Sequence, residues 1–386
     1  MAKVVVTKSK LDSLAQHINT KAGTTGAKTI AQMQETVDGI TGITQWNEKF
    51  TKILSPGTSE TTAAITVKAL CYYDGYWYGA GNDSAGDVYK LYGAAAETLT
   101  AVKLANNRTY PVKGITCDGT RVWMCCEPGG YQGRTVIYQS IADFKKALST
   151  YSYSIQNLAD YSCADICRIN ETQAGYGSIV CVVGRSGDGG FLCQYANGAS
   201  GKSLQIADAV GGFTSCCAWA FDIYGMHMER IACVSEEGYV CTGVGPEPSN
   251  WSGIQRDYLR GAKMVRSMNG SLFVACVRSD GTYLYWYGAA CSPKDSPPTG
   301  SIKICDEALT ILGMSYAGGL YAVVGVNGDG VTKVLQSDNQ FLTGIYGQAI
   351  TLPSGYTPRA MATDGSNICI LADNGTNVVK AMSTIE

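Results

Sequence analysis

Two histidines, His17 and His227, are all that this chain offers as ordinary neutral-pH bases, and they lie far apart in sequence. A nucleophilic triad needs such a base beside its nucleophile, and no Gly-x-Ser-x-Gly elbow occurs. The 16 cysteines include no C-x-x-C pair, so a zinc site is not expected. They sit in apolar runs such as Val122–Cys126 and Ile179–Val183, which reads as buried free thiols serving as small hydrophobes. Asp188 and Asp329 stand in Gly-rich turns, but each turn supplies one carboxylate, too few for calcium. No metal or cofactor is expected. What remains is chemistry suited to recognition: Tyr131, Arg134, Arg185, Asp188, Arg278, Asp280 and Asp329, all at or beside turn tips, where binding residues concentrate.

The composition narrows the class. With 30 Lys+Arg against 32 Asp+Glu and only 16% charged residues, the chain has no electrostatic footprint for nucleic acid. Its 46 glycines supply tight turns, and its 24 tyrosines suit half-buried pleated strands. No secretory signal is read at the start, and no run of about 18 apolar residues suggests a membrane span. A mainly β protein without membrane insertion is the expectation.

The elements that position the turn tips repeat. An apolar strand, a tight turn, a second strand, a second turn and a third strand recur from about residue 46. First turns read Asp74-Gly75, Asp118-Gly119, Asn269-Gly270, Gly318-Gly319 and Asp364-Gly365, dipeptides that tolerate positive φ at both central positions. Seven units begin near Val67, Val112, Ala164, Ser215, Ala262, Leu312 and Arg359, each with a second turn such as Asp280-Gly281 or Asn374-Gly375. Strands apolar on consecutive residues, such as Phe273–Val277, are covered on both faces. Seven sandwiched units predict a seven-bladed β-propeller over 43–386. The seventh unit lacks a fourth strand, while a lone strand-like segment, Trp46–Leu54, precedes the first. Trp46–Leu54 is therefore expected to complete the last blade and close the ring, leaving no open edge.

Residues 1–42 follow a different period. Ser9-x-x-Asp12 resembles a capping box, followed by Leu11, Leu14 and Ile18 on one helical face. A second helix carries Ile30, Met33 and Val37. Two short helices bury too little surface to stand alone, so these residues are expected to dock either on the chain's own propeller or, as an attachment or oligomerisation face, on a neighbouring subunit. The segment Lys8–Thr25, with its Lys-Leu-Asp-x-Leu-Ala-x-x-Ile helix and Lys-x-Gly-Thr-Thr turn, followed by Thr29–Ile40, resembles the opening of tail and baseplate proteins from phages of Gram-positive hosts. That resemblance covers about a tenth of the chain. It implies a virion protein, assembled in the bacterial cytoplasm, joined to other tail or baseplate subunits as a homo-oligomer with a trimer favoured.

Together these readings predict a non-enzymatic component of a phage tail, fibre or baseplate. The propeller would recognise a host-surface glycan or protein, or scaffold its neighbours. The enzymatic alternative is a propeller hydrolase acting on surface glycans, since Ser186-x-Asp188-x-Gly190 resembles part of the Asp-box turn of sialidases. Cys193 stands where the aromatic residue of that motif belongs, which favours a plain hairpin turn. Three or more carboxylates and arginines converging at one channel mouth would favour the hydrolase.

Overall fold

The computed structural model describes residues 57–384, apart from 106–110, 128–133, 156–160, 172–176, 197–201, 224–225, 245–247, 289–292, 294, 339, 342–345 and 351. They belong to one compact unit, Ser55–Ile385. Seven four-stranded antiparallel sheets make up this unit, a seven-bladed β-propeller. The innermost strands are Thr66–Tyr73, Val112–Cys117, Tyr161–Glu171, Phe213–Ile223, Ala262–Met268, Thr310–Ala317 and Thr357–Thr363, for blades 1 to 7. Each begins within three residues of the start expected from the repeat.

The last blade completes itself from the far end of the described chain. Gly57–Thr62 runs antiparallel to Asn377–Thr384, from Gly57 opposite Met382 to Thr62 opposite Asn377. This corrects the expectation for Trp46–Leu54: that segment lies outside the described residues, and the outer position it was to fill belongs to Gly57–Thr62. The sequence Gly-Thr-Ser-Glu-Thr-Thr is polar, as an outermost strand facing solvent on one side permits, and its lack of apolar residues hid it. The helical residues Leu11, Leu14, Ile18, Ile30, Met33 and Val37 also lie outside the described residues.

The core is a series of seams between blades. One buried cluster joins Tyr78, Val88 and Leu104 of blade 1 to Val112, Met124 and Ile137 of blade 2. Another joins Cys181, Val183 and Leu192 of blade 3 to Cys216, Ile231 and Cys233 of blade 4. Sandwiching explains the unbroken burial of Val122–Cys126 and Ser271–Cys276. All 15 cysteines among the described residues are free thiols, 13 of them buried. Desolvation raises the Cys193 and Cys276 thiols to about 12.

The first turns divide into two kinds. At Asp74-Gly75, Asn269-Gly270 and Gly318-Gly319 both residues have positive φ, as expected. At Asp118-Gly119 and Asp364-Gly365 only the glycine does. There the aspartate closes the turn with its side chain: Asp118 Oδ1 accepts from the Thr120 and Arg121 amides, and Asp364 Oδ1 from those of Ser366 and Asn367.

Candidate functional site

The seven innermost strands share one irregularity. Each carries a β-bulge near its start, and the residues without a ladder partner are Lys68, Lys113, Ala164, Thr214, Lys263, Leu312 and Arg359. A bulge bends its strand and re-aims the extra side chain. All seven of these residues line a single cavity of about 240 Å³ at the axis of the ring. This mouth opens on the face that carries the second turns, because each innermost strand starts there.

Four of the seven bulge residues are cationic and none is acidic. Arg359, Lys68 and Lys113 come from blades 7, 1 and 2 and form a contiguous arc, while Lys263 faces them from blade 5. Three of the four are steadied by carboxylates outside the cavity. Lys113 pairs with Glu127 at 2.9 Å, Lys263 pairs with Glu236, and Arg359 Nε donates to Asp373 at 3.1 Å. Asp373 is buried and also accepts the Val67 amide at 3.0 Å, which stitches blade 7 to blade 1 beside the bulge. Asn82 does the same for Val112, at 2.9 Å, between blades 1 and 2. Lys68 has no ion-pair partner among the described residues.

Below the ring a polar network spans three blades. Arg266 Nη1 lies 3.1 Å from Asp165 Oδ2, 2.9 Å from Ser215 Oγ and 2.9 Å from the Cys216 carbonyl. Ser215 Oγ donates to Asp165 at 2.8 Å, and the Cys216 amide donates to the same oxygen at 3.1 Å. The other carboxylate oxygen accepts the Ile166 amide at 2.8 Å. Asp165 is thus fully engaged, and it is the one carboxylate among the described residues that lines the cavity. Glycoside hydrolysis by the usual pair of carboxylates needs two.

A second axial cavity of about 330 Å³ continues beyond Leu70, Ile115, Ile166, Arg266, Leu312 and Met361, which line both. Its walls carry Cys71, Cys167, Cys216, Cys217 and Arg168. Among the described residues, no three His, Cys, Asp or Glu side chains are grouped to hold a metal.

The turn-tip residues stand apart from this axis. Arg185 Nε donates to the Gly187 carbonyl at 2.6 Å, and its Nη2 reaches Asp188 at 3.3 Å within the same turn. Arg278 donates to the Tyr258 carbonyl at 2.6 Å and lies 4.7 Å from the centre of the Tyr283 ring. The Tyr283 hydroxyl donates to Asp280 and holds its carboxyl below the ordinary range. Asp329 is exposed, in a turn closed by Asn327 Oδ1. Tyr131 and the Arg134 side chain lie outside the described residues. Each pair is local to its own blade, and none lines the axial cavities. The sequence reading passed over the bulge residues, although aligned unit starts show them: Val-Lys-Ala-Leu, Val-Lys-Gly-Ile, Ala-Lys-Met-Val and Pro-Arg-Ala-Met.

No family model and no curated protein matches the chain. Solved structures do. A catalytically inactive variant of virginiamycin B lyase from Staphylococcus aureus with quinupristin is similar at 10% identity and a TM-score of 0.58, covering 84% of this chain and 98% of that one. The Dos1 propeller is similar at 11% identity and a TM-score of 0.50, covering 86% of this chain and 95% of that one. At such identities the likeness is one of fold: this chain shares the propeller architecture of both.

Proposed function

We propose that the chain is a non-catalytic recognition component of a phage or phage-like tail, fibre or baseplate. In this reading residues 1–42 join it to other tail subunits as a homo-oligomer, trimeric by preference. The propeller engages a host-surface glycan or protein, and the protein resides in the virion after assembly in the bacterial cytoplasm. The resemblance of Lys8–Ile40 to tail proteins supports the setting. The observation that carries the recognition role is the axial mouth, where five cationic side chains meet one carboxylate whose oxygens are already engaged. Such a surface is equipped to hold a ligand, and its described residues offer no second carboxylate for acid–base work on a glycosidic bond.

One observation favours the hydrolase as a second reading: Asp165, Arg266 and Arg359 do converge on one cavity. Cell walls from Gram-positive bacteria, incubated with the full-length chain, separate the two. Recognition predicts cosedimentation without release of reducing sugar, and a multimer by light scattering. Sustained release that disappears in a folded Asp165→Asn variant would install the hydrolase instead. A monomer that neither sediments with walls nor cleaves them would sink both.

A further inference from the structure

We infer that the channel mouth on the second-turn face is a binding site for a small polyvalent oxyanion, a phosphate or carboxylate group carried on its ligand. The argument starts from sign. Acidic and basic residues are almost equally frequent in this chain, 32 against 30, and seven positions drawn at the average would hold fewer than one of either. The seven bulge positions hold four cations and no acid, and all seven line the same cavity. Three of the four have a carboxylate partner outside the cavity and Lys68 has none among the described residues, so the cavity side of the ring presents positive charge without an acid of its own among the bulge residues.

The cavity itself is suited to one small group. Its volume of about 240 Å³ falls below the roughly 300–1,000 Å³ of pockets for drug-sized ligands. Lys68, without an ion-pair partner among the described residues, has its ammonium available. Lys113 and Lys263 are held by exposed pairs, which are weak and readily exchanged for a stronger acceptor. Arg359 is fixed by buried Asp373 and keeps donors of its planar fork for an oxygen ligand. Deeper in, Asp165 is covered by Arg266, Ser215 and the Cys216 amide, which lessens its repulsion of an anion. The arc of Arg359, Lys68 and Lys113 on three adjacent blades is the gripping side, and Lys263 closes it from across the axis.

This inference deepens the recognition reading by naming the chemistry of what is held, and it rests on that reading only in treating the group as bound and not turned over. Titration calorimetry of the full-length chain with sodium pyrophosphate, and separately with citrate, at constant ionic strength and neutral pH, tests it. One saturable site per chain is expected, with affinity falling as salt rises. Lys68→Gln/Lys113→Gln should weaken it roughly tenfold or more. Lys103→Gln, at an exposed lysine paired with Asp87 on the outer strand of blade 1, should leave it unchanged. Binding of pyrophosphate alone assigns a phosphate group, and binding of citrate assigns carboxylates. Failure of both anions to saturate, or equal affinity in the double variant, overturns the inference, as does equal loss in Lys103→Gln. A chain that ignores both anions yet sediments with cell walls would refute this site while leaving the recognition reading intact.

Discussion

The two halves of the axial channel are built from the same seven strands, and a shift of a few residues along them changes the chemistry completely. At the second-turn face the bulges deliver Lys68, Lys113, Lys263 and Arg359 into about 240 Å³. Beyond the shared collar the walls carry Cys71, Cys167, Cys216 and Cys217 around about 330 Å³. The charged half tolerates solvent and is held by hydrogen bonds between blades. The other half sets its thiols, which serve as small apolar side chains, beside Thr116, Arg168, Ser267 and Ser315. The same seven strands therefore present a cationic mouth at their bulged starts and a mixed, thiol-bearing wall further along.

The sharpest way to attack the buried thiols, those of the blade seams together with Cys71, Cys216 and Cys217 of the second cavity, is alkali. Burial raises the thiols of Cys71, Cys117, Cys125, Cys126, Cys163, Cys181, Cys193, Cys216, Cys217, Cys233, Cys276 and Cys369 above their ordinary 9.0. A group whose folded pKa is raised contributes full stability below its unfolded pKa and loses it as pH climbs toward the folded value. Each such thiol costs about 1.4 kcal/mol for every unit above 9. Several such costs together become comparable with a domain's ~5–15 kcal/mol, while Cys167, held below its ordinary value by hydrogen bonds with Cys181 and Cys216, runs the other way. Circular dichroism under reducing conditions should show cooperative unfolding as the pH climbs above about 9. A fold intact at pH 11 would show that these thiols are hydrated.

In the charged half the largest loss is expected at Arg266. Arg266→Met leaves Asp165, whose side chain is 16% exposed, without its cation, and should cost about 2 kcal/mol. That figure sits below the range for fully buried pairs because the Arg266 side chain keeps 30% exposure. Asp373→Ala should cost about 1–2 kcal/mol by orphaning the Val67 amide. Asp373→Asn should recover much of it, since Asn82 already performs that task for Val112. Urea denaturation measures all three variants, and equal losses for Asp373→Ala and Asp373→Asn would mean that the Arg359 ion pair, not the stitch, matters there.

These two halves were unequally legible in the sequence. Blade number, strand starts and the apolar strands followed from turn dipeptides and consecutive burial, because both are local signals. The thiols were read as small hydrophobes for the same reason. The closing strand Gly57–Thr62 was missed because an outer strand is not obliged to carry an apolar pattern. The cation ring was missed because its members lie about 45 to 150 residues apart and meet only once the ring closes. The bulge position shows only when the unit starts are aligned with one another, as at Val67-Lys68 and Val112-Lys113. Charge at turn tips drew notice instead, and Arg185 with Asp188 shows why that is a weak guide: they satisfy each other inside one hairpin.

The smallest effect should come from those tips, and it decides between the two sets of charges. Arg185→Gln/Asp188→Asn removes an exposed pair, of a kind worth little, so the melting temperature should move by no more than about 1 °C. Pyrophosphate affinity should be unchanged as well, because neither side chain lines the axial cavity. Cell-wall cosedimentation by this variant, set beside Lys68→Gln/Lys113→Gln, supplies the contrast. If the tip variant binds walls and the axial variant does not, recognition runs through the bulge ring. If the order reverses, the hairpin tips hold the ligand, and the cations at the axis serve a separate charge-balancing role inside the channel.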